Sequence, residues 1–438
     1  MQKSLRKFAN ITENLSSRLE PAHLRTQRRD PQALLPLLFW LSFSQKTCFS
    51  NSTTPRRILF SMSTVAETAP IRTAVIGYGL AGRVFHCPFI AAVPGLELTT
   101  IIVANPDRAA AAHAIYPQAT VVPQLATVLN DPSIDLIVIG TPNSTHVELA
   151  TAALHAGKHV VVDKPLAANS ADARALIELA TAQGKLLAPF HNRRYDGDFL
   201  TLSKLVAEGT LGRIVTVLSH YDRFRPLQRP NSWKEASGPA SGNLFDLGPH
   251  LVDQALALFG VPTHVTASVR YERDRTDIDD AADIVFDYSV PALPGEPAKQ
   301  LRYVCSETML AADPCPRFRV HGTLGSFTKT GLDPQEAALI KGTLPPPLGS
   351  PQPWFPEPES AWGTLTLATK RTEPVEYART PYPTVPGDYR RFYANVRDAV
   401  RSAAPLAIPA EDGFRTIRLL ELALQSSQER RTVAIDFT

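Results

Sequence analysis

Methionine, tryptophan and cysteine are scarce in this 438-residue chain, at three, four and four residues. The cysteines Cys48, Cys87, Cys305 and Cys315 form no CxxC pair and no metal-ligand spacing, so they read as buried or incidental thiols of a reduced, cytoplasmic protein. No bound metal is expected. No run of eighteen apolar residues occurs, which excludes a spanning helix by hydropathy. Ala33 to Phe43, an apolar run interrupted by Pro36, is too short to span a bilayer, begins too far from the start for a secretory signal, and has no good small-residue cleavage site after it. The formal net charge of +3 is unevenly placed: residues 1–61 hold ten Lys/Arg against three Asp/Glu, which leaves the rest acidic and without a nucleic-acid footprint. With 44% hydrophobic and 20% charged residues, the composition excludes wholesale disorder.

The length predicts two domains plus a tail. Up to about Pro70 no period of either kind is sustained, and residues 1–70 read as a disordered extension or as the product of a start placed upstream of Met62. From Ile71 onward, short apolar runs alternate with Ala/Leu-rich helical stretches, the mark of βαβ units on a parallel sheet. Candidate strands are Thr73–Ile76, Leu98–Val103, Thr120–Val122, Leu136–Ile139, His159–Val162 and Leu186–Phe190, with helices over Val147–Ala156 and Ala171–Ala182. Six strands predict a Rossmann domain over 71–191. Beyond Gly212 the runs lengthen and helices thin out: Ile214–His220, Val265–Tyr271, Ile284–Tyr288, Gln300–Cys305 and Phe318–His321 predict an α+β domain over 192–438 with a mostly antiparallel open sheet. Leu344 to Pro358 is proline-rich and reads as a loop. Two helices, about Tyr389–Ala403 and Glu411–Glu429, close the chain.

Residues 75–86 read VIGYGLAGRVFH, a GxGxxG at Gly77, Gly79 and Gly82 where a strand gives way to a helix. In that context Gly77 permits the tight turn, Gly79 lets backbone approach a pyrophosphate, and Gly82 lets helix pack on strand, with Tyr78, Leu80 and Ala81 completing the cradle. The second strand ends in Val103-Ala104-Asn105-Pro106-Asp107-Arg108, with no carboxylate at the strand end to grip a ribose. Asp107 is placed to cap the following helix, and Arg108 to meet a 2′-phosphate, so the cofactor is expected to be NADP before NAD.

Three further segments, TPNSTH (141–146), VVVDKP (160–165) and GNLFDLGPHLVD (242–253), follow in an order and separation that resemble the Gfo/Idh/MocA oxidoreductases throughout residues 71–438. FHNRRYDGDF (190–199), HYDRFRP and GLDPQE narrow the resemblance to the inositol-dehydrogenase-like branch that contains NADP-dependent scyllo-inositol dehydrogenases. The resemblance implies that Lys164, preceded here by Asp163 where the family commonly has Glu, lies beside the nicotinamide and stabilises alkoxide character at the reacting oxygen. It implies that Thr141, Pro142, Asn143 and His146 contact the cofactor, though His146 suits helix packing equally. It also implies a homodimer or homotetramer built on the open sheet.

Asp246 and His250 stand four residues apart, so a helical start would place them on one face, His250 as general acid/base and Asp246 as its orienting partner or a substrate acceptor. Asp253 reads as a solvated or structural carboxylate. Asn192 and Arg193 follow the sixth strand on the ligand-binding side of a parallel sheet, whereas Arg194 suits a surface salt bridge. Tyr221, Arg223 and Trp233 occupy a natural place for polyol recognition. The reading is hydride transfer between a nicotinamide and a secondary alcohol or ketone of a cyclic polyol or sugar. Its alternatives are a non-catalytic NAD(P)-sensing regulator and an oxidoreductase of another carbonyl or dihydrodiol.

Overall fold

The computed structural model describes residues 69–229, 235–291, 295–351 and 353–437. The N-terminal extension, Cys48 and Trp233 lie outside the described residues.

The first sheet comprises β1 (Ile71–Ile76), β2 (Leu96–Ile102), β3 (Thr120–Val122), β4 (Leu136–Ile139), β5 (His159–Asp163) and β6 (Leu187–Phe190). All are parallel, in the order β3-β2-β1-β4-β5-β6, the doubly wound arrangement. The central strand reads LIVI and is buried at every position, because helices cover both faces. The connections carry α1 (Cys87–Ala92), α2 (Pro106–Ile115), α3 (Ala126–Leu129), α4 (His146–His155) and α5 (Ser170–Ala182). Between β1 and α1 the chain does not form the ordinary α-helix the motif suggests: Ala81–His86 is a wider π-type turn.

After α6 (Gly197–Ala207) comes β7 (Ile214–Asp222), then α7 (Asn243–Asp246) and α8 (Gly248–Phe259), separated by Leu247. The second sheet adds β8 (His264–Arg270), β9 (Ala281–Val290), β10 (Lys299–Thr308), β11 (Phe318–Gly322), β12 (Gly325–Lys329), β13 (Gly363–Lys370), β14 (Glu376–Tyr382) and β15 (Val433–Ala434). Its order is β14-β13-β12-β11-β7-β10-β9-β8-β15, antiparallel throughout except for the pair β7–β10. Alternating burial along β7 and β9 shows one face on a core and the other open. Strands β12 to β14 had no counterpart in the sequence pattern. The 344–358 segment is irregular between α9 (Gln335–Ile340) and β13, as its prolines require.

Two late helices return to the front of the molecule. In α10 (Arg390–Val400), Phe392, Tyr393 and Val396 join the core containing Phe89 and Phe190. Helix α11 (Ala410–Glu429) contributes Phe414 and Ile417 to the core behind β4 and β5, and Leu419, Leu420 and Leu422 to the core of the second sheet.

Candidate active site

A cleft of about 840 Å³ runs from the glycine turn to α8, lined from the first domain by the exits of β1, β2, β4, β5 and β6. These are the carboxyl ends of parallel strands, where open α/β sheets bind ligands.

The glycine turn fits a dinucleotide. Gly77 sits at φ +97°, a conformation strained for any residue with a side chain, and a Cβ on Gly82 would lie 2.0 Å from the Gly77 carbonyl oxygen. A Cβ on Gly79 would meet only Arg108 Nη1, at 3.9 Å, so this backbone faces the cleft openly. Tyr78, Leu80 and Ala81 also line it. Farther out, Asn105 caps α2: its Oδ1 accepts from the Arg108 N–H at 2.9 Å, and Pro106 occupies the first helical turn. This corrects the expectation for Asp107, which lies inside that turn; the residue before the proline has the extended backbone a cap requires. Asn105 and Arg108 both line the cleft.

Beyond the turn, Thr141, Pro142 and Asn143 line the cleft at the β4 exit, and Asn143 Nδ2 donates to the Ala240 carbonyl oxygen at 3.2 Å. His146 does not reach the cleft wall. It is buried, with Nδ1 2.8 Å from the Pro165 carbonyl oxygen and Nε2 3.0 Å from that of Thr141. Sitting at the start of α4, the ring tethers the β4 and β5 loops instead of touching a ligand.

The β5 exit delivers Asp163 and Lys164. Asp163 Oδ1 accepts from the Lys164 backbone N–H at 2.8 Å, which fixes the turn. Lys164 Nζ then reaches across the cleft to α7, pairing with Asp246 Oδ1 at 3.1 Å and with the Asp246 carbonyl oxygen. Arg223 Nη1 lies 3.9 Å from Asp246 Oδ2 on the other side. Asp246 thus answers Lys164 and Arg223. The helical break at Leu247 puts it in a different helix from His250, so the shared helical face expected from their spacing is not formed, although both line the same cleft.

His250 is 6% exposed, and its Nδ1 is buried without a hydrogen-bond partner among the described residues. Burial, reinforced by Lys164 and Arg193, holds the imidazole well below its ordinary pKa, so it is neutral at physiological pH. His191, also buried, is lowered by the same dominant cause, with Asp253 opposing.

Asn192 and Arg193 line the cleft after β6. Arg193 is engaged elsewhere: it donates to Tyr389 Oη at 3.1 Å, lies 3.4 Å from Asp196, and pairs with Glu336 of α9. That cation, above all, holds the Glu336 carboxyl below its usual range. Arg194, expected at the surface, is instead a part-buried clamp, donating to both Asp253 oxygens at 2.8 and 2.6 Å and to Asp412 at 2.8 Å. Asp253 is accordingly structural and 1% exposed.

Of the residues expected to meet substrate, Arg223 lines the cleft and Tyr221 does not. The end of β7 explains the difference: Val217, Ser219 and Tyr221 share its core face, and Arg223, of the same parity, escapes that face only because it lies just past the strand end. The buried Tyr221 ring lies behind His250, centroids 6.2 Å apart, with the Arg193 and Arg317 guanidinium carbons 5.4 and 4.7 Å from its centroid. Sequence reasoning missed His191, Glu336, Arg225 and Arg229. The last three line the cleft; HYDRFRP contains Arg225 and GLDPQE contains Glu336, and no stretch singled out Arg229. It also missed the grouping of His220, Asp222 and Cys315, whose ligand atoms lie within 4.8 Å of one another outside the cleft lining.

Residues 71–191 match a model described as an oxidoreductase family with an NAD-binding Rossmann fold, GFO_IDH_MocA, and residues 203–435 match that family's C-terminal alpha/beta domain. The chain is 42% identical over 365 residues to the uncharacterized oxidoreductase YdgJ of Escherichia coli, covering 83% of this chain and 99% of that protein. It is 35% identical over 369 residues to IolW of Bacillus subtilis, a scyllo-inositol 2-dehydrogenase (NADP(+)), covering 84% and 96%. Among solved structures, yvaA of Bacillus subtilis superimposes with a TM-score of 0.77 at 34% identity, over 84% of this chain and 99% of that one.

Proposed function

Because this chain belongs to the Gfo/Idh/MocA oxidoreductase family, we propose that it catalyses reversible hydride transfer between NADP(H) and a secondary carbinol of a cyclic polyol or sugar, with scyllo-inositol the first substrate to test. The observation that carries this reading is the convergence of Lys164, Asp246 and His250 on one cleft that begins at the glycine turn.

A nicotinamide bound in this cleft supplies the hydride acceptor or donor. Gly79 would offer its backbone to the pyrophosphate, with Gly77 shaping the turn and Gly82 packing helix on strand, and Thr141, Pro142, Asn143, Asp163, Asn192 and Arg193 would receive the rest of the cofactor along the cleft. The Lys164 ammonium, oriented by Asp246, donates to the substrate oxygen and stabilises its developing negative charge. His250, held neutral, accepts the hydroxyl proton as the alcohol is oxidised and returns it when the ketone is reduced. Burial of Nδ1 makes Nε2 the nitrogen that does so. Arg223, beside Asp246, is the substrate-facing cation.

NADP is preferred because the β2 exit offers Asn105 and Arg108, and no carboxylate, to the ribose. The buried thiols Cys87 and Cys305 suit a reducing cytoplasm. A homodimer or homotetramer is supported by the second sheet's open face, where Val215 is exposed. No described helix is long and apolar enough to cross a membrane.

The deciding experiment is an NADPH and NADH oxidation screen against inososes and ketosugars. Turnover confined to NADPH with a cyclic polyhydroxy ketone is the expected result. Tight NADPH binding with no turnover of any carbonyl or polyol would turn the reading toward a sensor.

A further inference from the structure

The cations on the cleft wall fall into two groups. Lys164 and Arg223 are answered by Asp246, Arg193 by Asp196 and Glu336, and Arg229 by Glu235, with Nε to Oε1 at 3.3 Å. Arg225 is the exception on the second-domain side. It lines the cleft, is half-buried, and among the described residues no carboxylate or carbonyl lies within bonding distance of its guanidinium.

Its backbone is nonetheless firmly placed. The Arg225 N–H donates to the Met309 carbonyl oxygen at 2.7 Å, and Phe224 bridges to Leu310. The fixed backbone therefore carries a cation toward the cleft with two other guanidinium groups nearby. Burial, then Arg223 and Arg229, lower its pKa, which places all three within electrostatic reach of one another, and Asp246 and Glu235 oppose the shift only partly. A half-buried charge with no bonded partner among the described residues costs free energy that a bound oxyanion recovers, and a guanidinium fork suits phosphate or carboxylate geometry.

We propose that Arg225 is the second domain's receptor for an oxyanion bound in the cleft, either a phosphate of the dinucleotide or an acidic group on the substrate. The proposal rests on the reading of this cleft as a dinucleotide and polyol site, and it adds a contact from the wall opposite the glycine turn.

The test is calorimetric and needs no turnover. Wild type, Arg225→Gln and Arg225→Lys are titrated with NADPH and with inorganic pyrophosphate. The NADP-loaded proteins are then titrated with glucuronate, glucose 6-phosphate and glucose. A charge-assisted bond to phosphate or carboxylate predicts a loss of about tenfold or more in the glutamine variant and a smaller loss in the lysine variant. A loss for NADPH and pyrophosphate identifies the cofactor as the source of the anion. A loss confined to glucuronate or glucose 6-phosphate, with glucose unaffected, identifies the substrate. Affinities unchanged within about twofold for every probe, with melting temperatures equal to wild type, overturn the proposal. Should wild type turn over no polyol while Arg225→Gln still loses pyrophosphate, the anion site stands and the functional reading falls.

Discussion

The two walls of the cleft are built on different principles. The first-domain wall is largely backbone and short side chains: Gly77, Gly79, Thr141, Pro142 and Asn143, placed by the ends of parallel strands. The second-domain wall is made of long charged side chains whose positions depend on one another and on Lys164, which reaches across from the first domain: Asp246 lies between Lys164 and Arg223, and Glu336 against Arg193. One wall is fixed by local sterics and tolerates a missing contact. The other is fixed by compensation, where deleting one charge strands its partner.

Breaking the contrast at its sharpest point means Lys164→Ala. It should lower kcat by about a thousandfold, the scale of losing an electrostatic stabiliser of the transition state, while NADPH affinity changes little because the glycine wall is untouched. Equal losses in kcat and in NADPH binding, measured by steady-state kinetics and fluorescence titration, would show the walls to be one unit.

His250→Gln should cost roughly a hundredfold in kcat, within the usual range for a general acid/base. Because His250 titrates well below its ordinary pKa, the wild-type rate should show no His250 inflection near ~6.5. An inflection there that vanishes in the variant would refute its assignment as a buried neutral base.

Stability should respond to acid through the same burial. Burial lowers His86 to about 4, and His191 and His250 are lowered as well. The unfolded chain therefore binds protons at pH values where the native protein does not, and stability present above ~6.5 is lost as pH falls toward the folded-state values. His86 alone accounts for on the order of 3 kcal/mol. Denaturant melts between pH 7 and 4 check the sign, and a midpoint that rises on acidification contradicts it.

The smallest effect tests the first wall. Arg108→Ala should raise the NADPH KM about tenfold and leave the NADH KM nearly unchanged, since a single phosphate contact is removed. Equal shifts for both cofactors would deny Arg108 a role in choosing between them.

The same contrast explains what could be read from residues alone. All six parallel strands, the glycine turn and the exits carrying Thr141 and Lys164 follow from short-range patterns, because hydrophobic runs and glycine sterics act over a few residues. The charged wall was only partly legible. Tyr221 was expected in the cleft because it shares strand parity with Arg223, two residues later, and only the point where β7 ends separates them. Arg194 was expected at the surface because its partners Asp253 and Asp412 are far along the chain. Strand β14 escaped notice because EYARTPY is almost wholly exposed and carries Pro381, and β13 because its alternating Leu/Thr run in GTLTLATK is short and only partly buried.

Helix α11 has a mechanical consequence. Its early residues, Phe414 and Ile417, are locked behind the parallel sheet, and Leu419, Leu420 and Leu422 are locked under the antiparallel one. A single unbroken rod thus spans both halves like an axle. Wide gaping of the two lobes would shear one end of it out of its socket and expose those side chains to water.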